Sequence, residues 1–378
     1  MNDACLLDIY GYRALVTSTS ALVLSGIRED FAYFLKEAGA ENSRGAVTIE
    51  LFDVEPPYGE MPDVKATVFT PRNVSYRSAK GTKPCRQTDA GTADTAGPGV
   101  PVLRELLRSS GNLTFVDYSG KALAIHDRKR GDFRVFSRDP DLLFEAAYLF
   151  ILSQSGEFVD SHGLHRMHAL GVSIQNRAVL VLLPMGGGKS TLGASLLLFP
   201  EIQLLSDDSP LIDSKGNVWA FPLRLGLLPG SEGSIPPEKM RTIRRMEFGP
   251  KILVNYSYFA DRVTARAEPC LLFLGSRSLQ NTCTINRASK LSAVLAMVSN
   301  CVVGLGLFQG MEFVFQRGWL EVLRKTITAA ARLRASLRLI ARSEVYHLTL
   351  GREPATNATT VVEHMRALCV NKSSGKSL

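Results

Sequence analysis

Long apolar runs are missing from this chain of 378 residues. The longest, such as "AVLVLLPM" and "ASLLLF", stop well short of the roughly eighteen residues a membrane span needs, so no membrane partner is expected. The start, "MNDACLLDIYGYRALV", has no basic segment leading into an apolar run and a cleavage site, and no export signal is expected. Cysteine is sparse and scattered: Cys5, Cys85, Cys270, Cys283, Cys301 and Cys369 include no CxxC pair. That excludes the usual zinc and disulfide frameworks and points to a reducing, cytoplasmic setting. No nucleic-acid-binding motif accompanies the net charge of +8, so no nucleic-acid partner is expected. Internal repeats are absent.

What is present divides into regions of different texture. Residues 1–75 hold short strand-like runs ("YRALVTST", "AVTIELFDV", "KATVFTP") around one amphipathic helix expected at "REDFAYFLKEAG". Residues 76–101 are polar and rich in Gly, Thr and Ala; they cannot bury enough surface to offset their ordering entropy and read as a linker. "LTFVDYSGKALAIHD" and "DFRVFSRD" then suggest a meander with a Ser-Gly turn. A helix follows at "DPDLLFEAAYLFILSQSG", with Asp139 placed to cap it. Residues 1–75 and 102–155 together read as a small α+β domain without visible chemistry. Residues 156–370 form a second domain, and 371–378 a flexible tail.

The chemistry concentrates in "VLLPMGGGKSTLGASLLLFPEIQLLSDDSP", residues 181–210. Glycines Gly186, Gly187 and Gly188 allow a backbone tight enough to aim N–H groups at phosphate oxygens, and the helix that follows adds its positive end. Lys189 is then placed for the outer phosphates, the Ser190 hydroxyl for Mg²⁺, and Thr191 closes the motif. Leu183 stands where the general pattern has its first glycine. "VSIQNRAVLVLLP" predicts a hairpin turning at "QNR", so the strand entering the loop has an antiparallel neighbour and the sheet is mixed.

Asp207 and Asp208 end the strand that returns from the loop's helix. Adjacent carboxylates repel unless a cation or a shared proton compensates. A Mg²⁺–nucleotide supplies the cation; one acid can hold the metal while the other takes the proton of an attacking hydroxyl. The sequence does not separate these roles; Asp208 with Ser190 is placed on the metal, and Asp207 is preferred as the base.

A glycine loop between paired strands, followed so soon by "LSDD", resembles the C-terminal catalytic domain of HPr kinase/phosphorylase, whose architecture is related to that of phosphoenolpyruvate carboxykinase. That family carries a histidine 21 residues before the loop lysine, and His168 holds that position here. "FPLRLGLLPG" falls where the family has its arginine-glycine signature, which makes Arg224 a candidate phosphate or substrate ligand. The resemblance implies an α/β (α+β) P-loop kinase domain with a mixed sheet, ATP and Mg²⁺ as cofactors, and transfer of the γ-phosphate to a hydroxyl. The acceptor would be a serine-like group on a protein, peptide or small molecule, and a homo-oligomer would fit, since HPr kinases assemble as hexamers. Thr191 replaces an acidic residue of the family and Pro222-Leu223 its signature glutamate, which points away from phosphorylase activity and from HPr itself as acceptor.

The alternative reading is a nucleotide-binding regulatory or assembly module without phosphotransfer, although a sensor needs no base. Other features are weaker. His162, His165 and His168 have threefold spacing but no cysteine beside them. Lys251 reads as a surface lysine, "GLGLFQG" (304–310) as strand and turn, and 324–343 as a basic amphipathic helix that packs on the core or meets an acidic partner.

Overall fold

The computed structural model describes residues 4–37, 39, 43–62, 66–69, 74–77, 113–227, 230, 235–244, 250–303 and 319–370. Most of the expected linker, the 304–310 segment and the tail at 371–378 lie outside these residues. Tyr76 and Arg77, expected to open the linker, instead belong to a strand.

Residues 4–137 build a mixed sheet from β1 (Ala4–Ile9), β2 (Tyr12–Ser18), β3 (Leu35–Lys36), β4 (Val47–Phe52), β5 (Ala66–Phe69), β6 (Val74–Arg77), β7 (Leu113–Asp117), β8 (Ala122–Asp127) and β9 (Phe133–Ser137). Their order is β3-β1-β2-β4-β9-β8-β7-β6-β5. The expected meander is β7–β9, and Ser119 and Gly120 turn it with φ of 55° and 75°. Alternation divides the faces: Ala122 and Ala124 meet the helices, while Leu123 and Ile125 join Phe115 and Phe136 on the far side.

The first helix is displaced from its expected place. Helix α1 spans Ala21–Asp30, and "REDFAYFLKEAG" covers only its last turn, a 3₁₀ turn and β3. Val23, Leu24 and Ile27 form its buried stripe, and the chain breaks at Phe31, which is wholly buried. Helix α2 (Pro140–Ser161) starts where expected: Asp139 accepts hydrogen bonds from the Asp141 and Leu142 backbone N–H groups, a cap that contributes about 1 kcal/mol. It runs on through Gly156. Although α2 is long and apolar enough by composition to cross a membrane, 78% of its most apolar window is buried between the two halves of the chain.

The second sheet carries the glycine loop. It comprises β10 (Leu164–Arg166), β11 (Leu170–Ile174), β12 (Arg177–Leu182), β13 (Ile202–Ser206), β14 (Leu211–Asp213) and β15 (Val218–Trp219), with β19 (Arg266–Arg277), β20 (Thr284–Arg287) and β21 (Glu344–Leu350). A separate small sheet pairs β16 (Leu225–Leu227) and β17 (Met240–Ile243) with β18 (Lys251–Val254). The hairpin β11–β12 turns on Gln175 and Asn176, at φ 48° and 61°. The sheet is mixed, as expected: β12 and β21 flank β19 in parallel, while β11 pairs antiparallel with β12 and β13. Opposite Val172 stands Leu204 but opposite Gly171 stands Ser206, so Leu205 is an extra residue in β13, a β-bulge just before the acid pair.

Helices cover both faces. Val179 and Val181 pack with α3 (Lys189–Leu196) and α6 (Pro354–Met365); Ala178 and Leu180 pack with α4 (Lys290–Met297) and α5 (Trp319–Arg342). Basic α5 forms as expected, and the chain itself meets much of its charge. Lys325 reaches Glu157 at 2.6 Å, Arg332 bonds Asp160 at 2.5 Å, and Arg342 donates to the Lys215 carbonyl at 2.9 Å.

The two halves share a polar joint. Asp30, at the end of α1, pairs with both Arg224 and Arg241. Nearby, the Tyr10 hydroxyl donates to the Ala220 carbonyl at 2.5 Å, and Phe34 packs on Phe221 at 5.2 Å.

Candidate functional site

Strand β12 delivers the chain into the glycine loop. Gly186 and Gly188 take φ of 74° and 93°, which side chains with a Cβ resist, and a Cβ on Gly187 would stand 2.9 Å from the Pro184 carbonyl oxygen. Gly188 caps α3, so the helix begins at Lys189. The missing first glycine is explained: the Leu183 carbonyl oxygen accepts a hydrogen bond from Lys189 Nζ at 2.8 Å, a contact that any residue can supply.

Lys189 Nζ also lies 2.8 Å from His168 Nε2. An ammonium can only donate, so Nε2 accepts and the ring proton sits on Nδ1. That nitrogen faces Asp208 Oδ1 at 3.2 Å, within ion-pair distance though not aligned as a hydrogen bond; Lys189 Nζ is 3.8 Å from the same oxygen. Burial pulls the Lys189 pKa below its ordinary value, partly offset by Asp208 and Asp207.

The neighbouring acids face different partners. Ser190 Oγ donates to Asp207 Oδ2 at 2.7 Å, and the Gly226 backbone N–H reaches the same oxygen at 3.3 Å. Asp208 was the acid expected beside Ser190, but the hydroxyl of the loop meets Asp207, because the bulge at Leu205 sets which acid turns toward α3. Exposure separates them too. The Asp207 residue is 6% exposed, whereas the Asp208 side chain is 44% exposed and opens to the cleft. Burial pushes the Asp207 carboxyl up to about 6, with Lys251 pulling it down and Asp208 adding to the rise. For Asp208, burial raises the pKa, but His168 and the charges of Lys189 and Lys251 outweigh it and hold the group below the ordinary carboxylate range.

These groups line a cleft of about 470 Å³ between the glycine loop and α2. Thr191 also lines it. Arg224 does so as well, but its charge is already engaged: the guanidinium pairs with Asp30 and lies 4.0 Å from the Tyr148 ring centre. As a phosphate ligand it would have to leave a buried carboxylate. The three spaced histidines do not converge. His162 is exposed at the end of α2, His165 is buried against Asp160 at 2.8 Å, and only His168 reaches the cleft.

Several cleft residues carry no local motif. Lys251, expected on the surface, runs its side chain across Gly226, where a Cβ would overlap it, and acts on both acids. Arg277 brings its guanidinium to 3.5 Å from where a Cβ on Gly188 would stand. It ends β19, the parallel neighbour of the loop strand, and carboxyl ends of parallel strands are where open α/β sheets bind ligands. That rule is the one signal that could have found it. Arg166 and the α2 residues Phe144, Tyr148 and Leu152 complete the opposite wall.

A divalent cation fits beside Ser190. Asp207 Oδ1 is buried without a hydrogen-bond partner, an acidic oxygen of the kind such cations take, and a Cβ on Gly193 would stand 3.7 Å from it. Among the described residues no group of three His, Cys, Asp or Glu side chains is placed to hold a metal by itself. No family model matches this chain, and no curated protein matches it.

Proposed function

We propose that the cleft transfers the γ-phosphate of ATP to a hydroxyl, in the manner of a divergent HPr-serine-kinase-like enzyme. The observation that carries this reading is the split of the acid pair: buried Asp207 sits on the loop serine, while the more exposed Asp208 sits on His168. The glycine loop, Lys189 and Arg277 would hold the phosphates, and Ser190 with Asp207 would hold Mg²⁺. When bound, that ion neutralises charge on the phosphate oxygens. Asp208, ionised at neutral pH and open to the cleft, accepts the proton of the incoming hydroxyl. His168 faces it with Nδ1 and accepts from Lys189 through Nε2. Arg224 serves to join the two halves.

The test is ATP labelled on the γ-phosphate, incubated with Mg²⁺, the protein and an extract of the source organism. Label should reach a polypeptide or metabolite and be lost, by about 100-fold or more, with Asp208→Asn, while nucleotide affinity stays within a few fold. Nucleotide bound with no label moved would favour a regulatory module instead.

A further inference from the structure

The wall opposite the glycine loop is a stripe of α2. Phe144, Tyr148, Leu152 and Gly156 follow at intervals of four and so share one side of the helix. The first three line the cleft. At Gly156 the stripe is cut away, because a Cβ there would overlap the guanidinium of Arg166. That guanidinium, at the end of β10, lines the same cleft.

Arg166 has no carboxylate partner among the described residues. The acid that acts most on its charge, Asp160, is taken: Oδ1 by His165 at 2.8 Å and Arg332 Nε at 3.1 Å, and Oδ2 by Arg332 at 2.5 Å. Burial lowers the Arg166 pKa, Asp160 offsets part of this, and Arg332 adds to it. Arg224, whose guanidinium lies over the Tyr148 ring of the same stripe, shows the contrast, since Asp30 pairs with it. A half-buried guanidinium with no anion is costly, and a ligand anion relieves that cost. Its planar fork fits a carboxylate through two parallel N–H···O bonds.

We propose that the α2 stripe and Arg166 form the acceptor subsite, and that the acceptor is a hydroxy acid: an apolar body on Phe144, Tyr148 and Leu152, a carboxylate on Arg166, and its hydroxyl toward Asp208. This rests on the phosphotransfer reading for the hydroxyl's fate, but the anion site stands on its own geometry. In the transfer the acceptor oxygen forms a bond to the γ-phosphorus as the bond to the β–γ bridging oxygen breaks; ADP leaves, and Asp208 takes the hydroxyl proton.

The probe is 3-phenyllactate against its amide, titrated calorimetrically into the full chain with Mg²⁺ and a non-hydrolysable ATP analogue. The acid should bind at least about tenfold more tightly than the amide. Arg166→Gln should erase that preference, and Arg166→Lys should restore only part of it, since it returns the charge without the fork. Melting curves of both variants check that they are folded. Equal affinity for acid and amide, binding of neither up to about 10 mM, or a preference that survives Arg166→Gln overturns the proposal. So does a variant that loses the ATP analogue more than it loses phenyllactate, which would assign Arg166 to the nucleotide. Label transfer from ATP is read separately. Arg166-dependent acid binding with no labelled product in any extract would sink the kinase reading while leaving the anion site in place.

Discussion

Ser190 Oγ stands 2.7 Å from Asp207 Oδ2, and the two residues come from opposite ends of one excursion, the helix that leaves the glycine loop and the strand that returns. The serine satisfies one carboxylate oxygen and leaves the other, buried, without a hydrogen bond. That imbalance carries a stability cost.

The Asp207 carboxyl is displaced from its ordinary 3.8 to about 6, and burial is the main cause. A carboxyl raised in the folded state favours folding only while protonated. Its contribution is full below about pH 4 and lost as pH rises through about 6. At neutral pH the ionised group therefore costs about 3 kcal/mol. Asp207→Asn should raise the melting temperature at pH 7.5 and leave it unchanged at pH 4. Mg²⁺ with ATP should stabilise the wild type more than the variant. A variant no more stable than wild type at pH 7.5 would contradict this account.

Asp30 holds two guanidiniums, and its side chain is only 1% exposed. Asp30→Asn would leave Arg224 and Arg241 beside a neutral group in a desolvated joint. The expected loss is about 3–5 kcal/mol, read as a lower urea midpoint. Restoration by a second change, Arg224→Met, would locate the effect in the unpaired charge; a loss below about 1 kcal/mol would show that the joint is not electrostatic.

Lys251 lowers the Asp207 pKa from across Gly226. Replacing it by Met should raise that pKa, so the acid limb of the pH–rate profile moves to higher pH and transfer falls by about tenfold or more at pH 6. Gly226→Ala, which puts a Cβ where the lysine chain runs, should shift the limb in the same direction. An acid limb that stays in place in both variants would remove Lys251 from the site.

The site's skeleton was legible because it is local. A hairpin, a glycine turn, a helix and a returning strand occupy one stretch of chain, and hydrophobic alternation with turn residues specifies each. Lys189, Ser190, His168 and both acids fell where spacing put them. Which of Asp207 and Asp208 meets Ser190 was not legible, since it depends on a bulge one residue long. Arg166, Lys251, Arg277 and the α2 stripe carry no spacing signal; tertiary packing brings them in from distant positions. Helix α1 was misplaced because "ALVLSGI" has a nearly continuous apolar texture that hides its stripe, while buried Phe31 extends the apparent pattern past the true end.

The bulge at Leu205 has a consequence for how such a site can change. Asp207 and Asp208 are chemically the same residue, and only odd-or-even counting along β13 distinguishes the acid that meets Ser190 from the one that meets His168. Ser206 already stands opposite Gly171, so a chain lacking Leu205 would pair regularly and keep both aspartates on their partners, whereas a chain that kept Leu205 but lost the bulge would present the other aspartate to each. Closing the bulge, a change invisible to any motif that lists only residue types, would therefore exchange the partners of the two acids.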